Sequence, residues 1–176
     1  MDDFHDSRPP GRRMGTGMLV LAMALGLAAL TGAFDRWLGE QANPNSNLQG
    51  IVGPDGAREV VLERNRQGHY VASGKINGLP VTFLLDTGAT DVAIPAHIAE
   101  AAGLERGFPG RASTANGTVV VYATRIDELT LGNIILRDLS ASITPSMGGD
   151  TILLGMSALQ RIEFSQRGSR LTLRVI

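Results

Sequence analysis

The stretch FLLDTGATDVAIP, Phe83 to Pro95, decides how this chain of 176 residues is read. An apolar run, Val81-Thr82-Phe83-Leu84-Leu85, stops at Asp86-Thr87-Gly88, and a second apolar run, Val92-Ala93-Ile94-Pro95, begins after Ala89-Thr90-Asp91. Short apolar runs bounded by turn formers are strand signals, so a lone carboxylate is expected at the end of a strand. Such an Asp can cap backbone N–H groups of the turn. It can also be a catalytic acid, and then it needs a partner carboxylate. Asp-Thr-Gly alone is a weak pattern, and its weight comes from what surrounds it.

Working outward, the chain from about Ala57 reads as short strands separated by turn signals. Glu59 to Leu62 is a first strand and Arg66-Gln67-Gly68 a turn. His69 to Ile76 and Val81 to Leu85 flank Asn77-Gly78, a strong hairpin signal because both residues tolerate φ > 0. Pro95 opens a short helix, PAHIAEAAGL, that ends near Gly103. A second Asn-Gly, Asn116-Gly117, predicts a hairpin between RAST and TVVVYATRI, with Thr114 and Thr118 beside its tip. Leu129–Leu131 and Ile134–Leu136 flank a third turn at Gly132-Asn133. Leu139 to Ile143 and Thr151 to Leu154 are further strands, and Met156 to Gln160 is a helical turn. Ile162–Phe164 and Leu171–Val175 close the chain as a hairpin. The expected class is all-β and barrel-like, with one or two short helices.

Composition narrows the chemistry. A formal net charge of −1 gives no electrostatic reason for a nucleic-acid partner. The absence of Cys excludes disulfides, thiolate nucleophiles and cysteine metal sites. His5, His69 and His97 are scattered without metal-ligand spacing, so neither a metal nor another cofactor is expected.

The segment Met14 to Ala33 carries no charge and is followed by Phe34-Asp35-Arg36-Trp37. It reaches the length of about 20 apolar residues that crosses the hydrocarbon core as a helix. Arg8, Arg12 and Arg13 precede it, which by the positive-inside tendency places the N-terminus in the cytoplasm. A cleaved signal peptide is the rival, with Thr31-Gly32-Ala33 as its cleavage site. Either way the remainder is exported. The expected layout is a cytoplasmic tail over 1–13, a transmembrane anchor (or signal peptide) over 14–34, a linker over 35–56 and a folded domain over 57–176.

Around Asp86 the chain resembles the retropepsin-like aspartic proteases, the single-lobed, retroviral-type relatives of pepsin. Their signature is an apolar strand, Asp-Thr/Ser-Gly-Ala/Ser/Thr and a second apolar strand. TILLGMSAL, Thr151 to Leu159, resembles the family's second element, an apolar run ending in Gly before a short helix. The likeness covers about Glu59 to Val175. It implies that Gly155 lets two backbones approach closely and that the hairpin of Thr114, Ala115, Asn116, Gly117 and Thr118 is a flap over bound peptide. It also implies that Thr87 bonds across a two-fold axis, that Gly88 gives the backbone access to carboxylate and substrate, and that Ala89, Thr90 and Asp91 lie on the substrate side. The terminal strand Leu171–Val175 is expected to contribute to a dimer sheet.

The implied function is an aspartic endopeptidase acting on peptide or protein substrates. Peptide hydrolysis of this kind needs one group to deprotonate the attacking water and another to protonate the carbonyl oxygen. Two adjacent carboxylates sharing a proton do both, because like charges that close cannot both ionise. No second Asp-Thr/Ser-Gly exists in the chain: Asp150-Thr151-Ile152 lacks the Gly, Asp127 and Asp138 have no Thr-Gly after them, and Asp91 is too near along the chain. The partner is therefore expected to be Asp86 of a second subunit in a homodimer. Ala89 stands where many relatives carry a hydroxyl that donates to the ionised carboxylate, and its absence predicts activity at mildly acidic to neutral pH. The expected location is the bacterial inner membrane, single-pass, with the protease domain in the periplasm. The alternative is a catalytically weak or inactive module that uses the same fold for dimerisation or peptide binding.

Overall fold

A computed structural model describes residues 11–114 and 117–175. The chain divides into two compact units at Gly39. Of the expected tail over 1–13, residues 1–10 lie outside the described residues, and the rest already belongs to helix α1, Gly11–Ala42. Over Gly15–Ala42 this helix is long and apolar enough to cross a membrane. Met18, Leu19, Leu21, Leu25 and Leu30 are all exposed on it, as side chains facing lipid would be. The helix runs past the expected limit at residue 34, because Arg36 to Ala42 contains no Gly-Pro break that would stop it before Asn43-Pro44.

The second unit is all-β with two short helices. Its strands are β1 (Gly50–Val52), β2 (Arg58–Glu63), β3 (Val71–Ile76), β4 (Leu79–Leu85), β5 (Val92–Pro95), β6 (Pro109–Thr114), β7 (Gly117–Leu131), β8 (Ile134–Thr144), β9 (Thr151–Leu154), β10 (Glu163–Arg167) and β11 (Arg170–Val175); the helices are α2 (Ala96–Ala101) and α3 (Met156–Leu159). One sheet has the order β3-β4-β9-β5-β8-β7-β6, and an added β3–β7 pairing curls it towards a barrel. The other has the order β1-β2-β11-β10. Both contribute to one core, in which Val60, Leu62, Ile76, Phe83, Ile94, Leu129, Ile152, Leu154 and Leu173 are fully buried. Alternate residues of β2 and β11 point inward, as strands with one solvated face require.

Turn chemistry explains the register. Asn77 and Gly78 take φ of 48° and 85°, and β3 pairs with β4 directly across them, from Ile76 opposite Leu79 to Val71 opposite Leu84. The second Asn-Gly behaves differently. Thr114 pairs with Gly117 and Ser113 with Thr118, so Gly117, expected in the turn, instead opens β7 at φ 108°.

Two expectations are corrected here. The stretch 35–56, read as a linker from its Gly, Pro and Asn content, carries β1, which pairs antiparallel with β2 from Gly50 opposite Val60 to Val52 opposite Arg58. It also carries Asn45, only 4% exposed. The Asn45 side chain donates to the carbonyls of Glu63 (2.9 Å) and Val71 (2.7 Å) and accepts from the Glu63 N–H (2.7 Å). It thereby clamps β2 of one sheet to β3 of the other. Removing three hydrogen bonds and leaving buried backbone groups unpaired costs about 3 kcal/mol. Asn45→Ala is expected to lower the stability of the β domain by that amount, read from the denaturant midpoint, and a fragment starting at residue 57 to be destabilised in the same way.

The second correction concerns β11, expected to supply a dimer sheet. It lies between β2 and β10, so both of its backbone edges are already occupied within one chain. A second copy could extend this sheet only at β1 or β10.

Candidate active site

Asp86 follows β4 directly, and its position is set by β9. The two strands run parallel from Thr82 opposite Thr151 to Leu85 opposite Leu154, and the Asp86 N–H continues the ladder to the Leu154 carbonyl at 3.1 Å. Fully buried Phe83, three residues earlier, anchors β4 in the core. Beyond Asp86 the chain turns: the Ala89 N–H bonds the Asp86 carbonyl at 3.2 Å, and the Gly88 N–H bonds the Asp86 Oδ1 at 2.9 Å. The turn-capping role that the sequence allowed for this Asp is thus present. It occupies one carboxylate oxygen, and the other accepts no hydrogen bond among the described residues.

The return of the chain is equally fixed. Met156 and Ser157 at the start of α3 donate their N–H groups to the carbonyls of Ala89 (2.8 Å) and Thr90 (2.9 Å). Gly155 makes this possible, since a Cβ there would sit 2.7 Å from the Ala89 carbonyl oxygen and closer still to that of Asp91. The close approach implied by TILLGMSAL is therefore present. Ser157 adds a pin that the sequence did not single out. Its hydroxyl accepts from the Val92 N–H (3.1 Å) and donates to the Ser140 carbonyl (2.8 Å), tying the loop to β8. A Ser at the second position of a short helix gives no signal for this in the sequence, because its partners lie 65 and 17 residues away.

The expected site residues fall on two elements. Asp86, Thr87, Gly88, Ala89, Thr90 and Asp91 share the loop between β4 and β5. Thr87, Gly88 and Thr90 are exposed, while Asp86, Ala89 and Asp91 are half-buried. Gly88 is close enough to Asp86 that a Cβ would lie 3.2 Å from Oδ1. Thr114, Gly117 and Thr118 lie at the turn end of the β6–β7 hairpin, where the Thr114 hydroxyl donates to the Gly117 carbonyl at 2.8 Å. Ala115 and Asn116 lie outside the described residues. A groove of about 970 Å³ beside β7 and β8 is lined by Asp91, Leu104, Arg106, Phe108 and Asp127. Asp86 is not among its lining residues, so the carboxylate of one chain stands outside that groove.

Known proteins resemble this chain in sequence or fold. A Sinorhizobium protein, described as uncharacterised and encoded 5′ of cobV, is 33% identical over 128 residues, covering 70% of this chain and 55% of that protein. An uncharacterised Rickettsia prowazekii protein is 26% identical over 111 residues, covering 60% of this chain and 46% of its own length. The chain thus spans about half the length of these two relatives. The crystal structure of a retropepsin-like aspartic protease from Rickettsia conorii superposes with a TM-score of 0.55 at 22% identity, over 73% of this chain and 95% of that one, which shows a shared fold. The family described as "gag-polyprotein putative aspartyl protease" matches residues 72–161, from β3 through the Asp86 loop and Gly155 to the end of α3. With that match over half its length, the chain belongs to the retropepsin-like aspartyl protease family.

Proposed function

We propose that the chain is an aspartic endopeptidase whose active site is made by two copies, each supplying one Asp86. The observation that carries this is the Asp86 loop itself. It holds a carboxylate with one oxygen bonded to the Gly88 N–H, and its backbone is fixed by β9 and α3. One such carboxylate can take a proton from water or give one to a carbonyl oxygen, but not both at once. A second, brought to it by a two-fold axis, supplies the other role, with one proton shared between them. The Thr87 hydroxyl has no hydrogen-bond partner among the described residues and is exposed, which suits a bond across the axis. Thr114 to Thr118 would then close over bound peptide and exclude water. Ala89, Thr90 and Asp91 would lie along its main chain.

The proposed setting is a single-pass inner-membrane protein. The tail is cytoplasmic and the anchor spans 14–34, so the catalytic domain faces the periplasm. The test compares the detergent-solubilised full chain with Asp86→Asn on a denatured protein substrate. Cleavage that persists at the wild-type rate in the variant sinks the proposal, and binding without cleavage in the wild type favours the non-catalytic module. Ala89, which offers no hydroxyl to the carboxylate, sets a further expectation. The rate should peak at mildly acidic to neutral pH, and a profile peaking near about pH 3 would contradict it.

A further inference from the structure

The groove beside β7 and β8 lies on the face of the sheet turned away from the core. Ile126, Leu139 and Ile143 of these strands are buried, while the alternate residues Ala123, Arg125, Asp127, Ser140 and Ser142 line the groove on the other face. Its far wall is the segment that joins α2 to β6, and that segment is tied down. The Gly107 N–H donates to the Ala123 carbonyl at 2.8 Å, and the Ala123 N–H donates back to the Phe108 carbonyl at 3.0 Å. The Thr124 hydroxyl donates to the Glu105 carbonyl at 2.7 Å. Gly107 sits so near β7 that a Cβ there would fall 2.7 Å from the Ala123 carbonyl oxygen. The wall is therefore built before anything binds, and about 970 Å³ stays open beside it.

Phe108 is the odd member of this wall. Its backbone is bonded to β7, yet the residue is 89% exposed, more than any other large apolar residue among the described residues. A ring held in water by a fixed backbone gains apolar contact as soon as a chain lies along the groove. Leu104 and Val121 continue the apolar lining from it.

Charge selects the occupant. Both cations of the lining are engaged within the chain: the Arg106 guanidinium lies 5.4 Å over the Tyr122 ring, and Arg125 pairs with Asp138. The carboxylates of Asp91, Glu105 and Asp127 have no ion pair or side-chain hydrogen bond among the described residues. With Arg125 balanced by Asp138, negative charge prevails in the lining, which favours a cationic occupant and opposes an anionic one such as a phospholipid headgroup. Length selects its form. From Val121 to Asp127 the floor follows β7 for about 20 Å, the span of about six residues of extended chain. At one end Asp91 joins the groove to the loop that carries Asp86.

We propose that this groove is an exosite for the flanking part of a polypeptide substrate, an extended segment in which Lys or Arg alternates with apolar side chains. It rests on reading the Asp86 loop as the place of cleavage and deepens that reading by naming the class of substrate. Its test reads binding, so the two fail separately.

The test uses the full chain carrying Asp86→Asn in a neutral detergent, with empty micelles as the baseline. Two fluorescein-labelled hexapeptides, one alternating Lys with Leu and one alternating Glu with Leu, are followed by anisotropy. The Lys peptide should bind at least about tenfold more tightly than the Glu peptide at low salt, and lose that advantage at about 1 M salt. Glu105→Lys combined with Asp127→Lys should weaken the Lys peptide at least about tenfold and strengthen the Glu peptide. Both positions are exposed, and the gain for the Glu peptide shows that the variant is folded. Phe108→Ala should weaken both peptides by about threefold or more. Glu100→Lys, at an exposed position of α2 outside the groove, should change neither. Equal affinity of the unaltered groove for the two peptides overturns the proposal. So does a preference for Lys that survives the double reversal, because binding would then lie elsewhere. Charge-dependent binding without any cleavage by the wild-type chain keeps the groove as a peptide site and refutes the endopeptidase. Cleavage without charge-dependent binding refutes the groove and leaves the endopeptidase standing.

Discussion

Asp86→Asn is expected to reduce cleavage by about 10⁴-fold or more, because in the proposed two-copy site it removes both the base that activates water and the proton shared with the second carboxylate. Each of those roles contributes about 10²–10⁴ in rate. The amide is nearly the same size as the carboxylate and can still accept the Gly88 N–H that now bonds Oδ1 at 2.9 Å. The variant should therefore fold and assemble like the wild type, with unchanged unfolding and sedimentation. That separation is the useful part of the measurement. Loss of rate with intact structure assigns Asp86 to the chemistry, and loss of both would assign it to the turn. Mixing wild type with a large excess of Asp86→Asn should depress activity further than dilution alone, since mixed pairs hold only one carboxylate.

Gly155→Ala should be among the most damaging single methyl additions in the β domain. The new Cβ would fall 2.7 Å from the Ala89 carbonyl oxygen and even nearer to that of Asp91, both backbone atoms that cannot swing aside as a side chain could. The φ of Gly155 is −88°, so nothing in its own backbone forbids a side chain, and the whole penalty is steric. Relief requires that β9 or the Asp86 loop move. Either motion breaks the Met156 and Ser157 N–H bonds that hold the loop at 2.8 and 2.9 Å. Overpacking of this kind costs about 3 kcal/mol. Chemical denaturation should show that loss, and the fraction that remains folded should cleave more slowly because Asp86 has shifted. A variant with wild-type stability and rate would mean that the loop is not pinned through this contact.

Local signals carried far in this chain. Asn77-Gly78 specified its hairpin because φ > 0 at two successive positions leaves the strands no other register. Asp86-Thr87-Gly88 and the Gly155 approach were legible because each needs particular residue types at particular points of contact. The same rule explains the failures. Gly117, expected in a turn with Asn116, instead opens β7 opposite Thr114, since which residues leave the ladder depends on the strand pairing on both sides. Asn45 sits among Asn, Pro and Ser, a composition typical of loops, and only its distant partners Glu63 and Val71 turn it into a clamp. β11 is apolar at alternate positions, like any half-buried strand, and the pattern does not say which neighbours flank it. Long-range pairing is set by the closing of the whole sheet, and no window of residues contains it.

The enclosure of β11 between β2 and β10 has a consequence for control. A chain that completes this sheet from its own residues can fold alone and persist as a separate molecule, without needing a partner to finish its core. If two copies share the catalytic water, then the amount of enzyme at work is set by encounter and not by folding. If α1 also anchors the chain in a bilayer, encounter depends on how many molecules occupy a given area of membrane. Activity per molecule in reconstituted vesicles should therefore climb with surface density and level off once most copies are paired, making crowding in the plane of the membrane the switch.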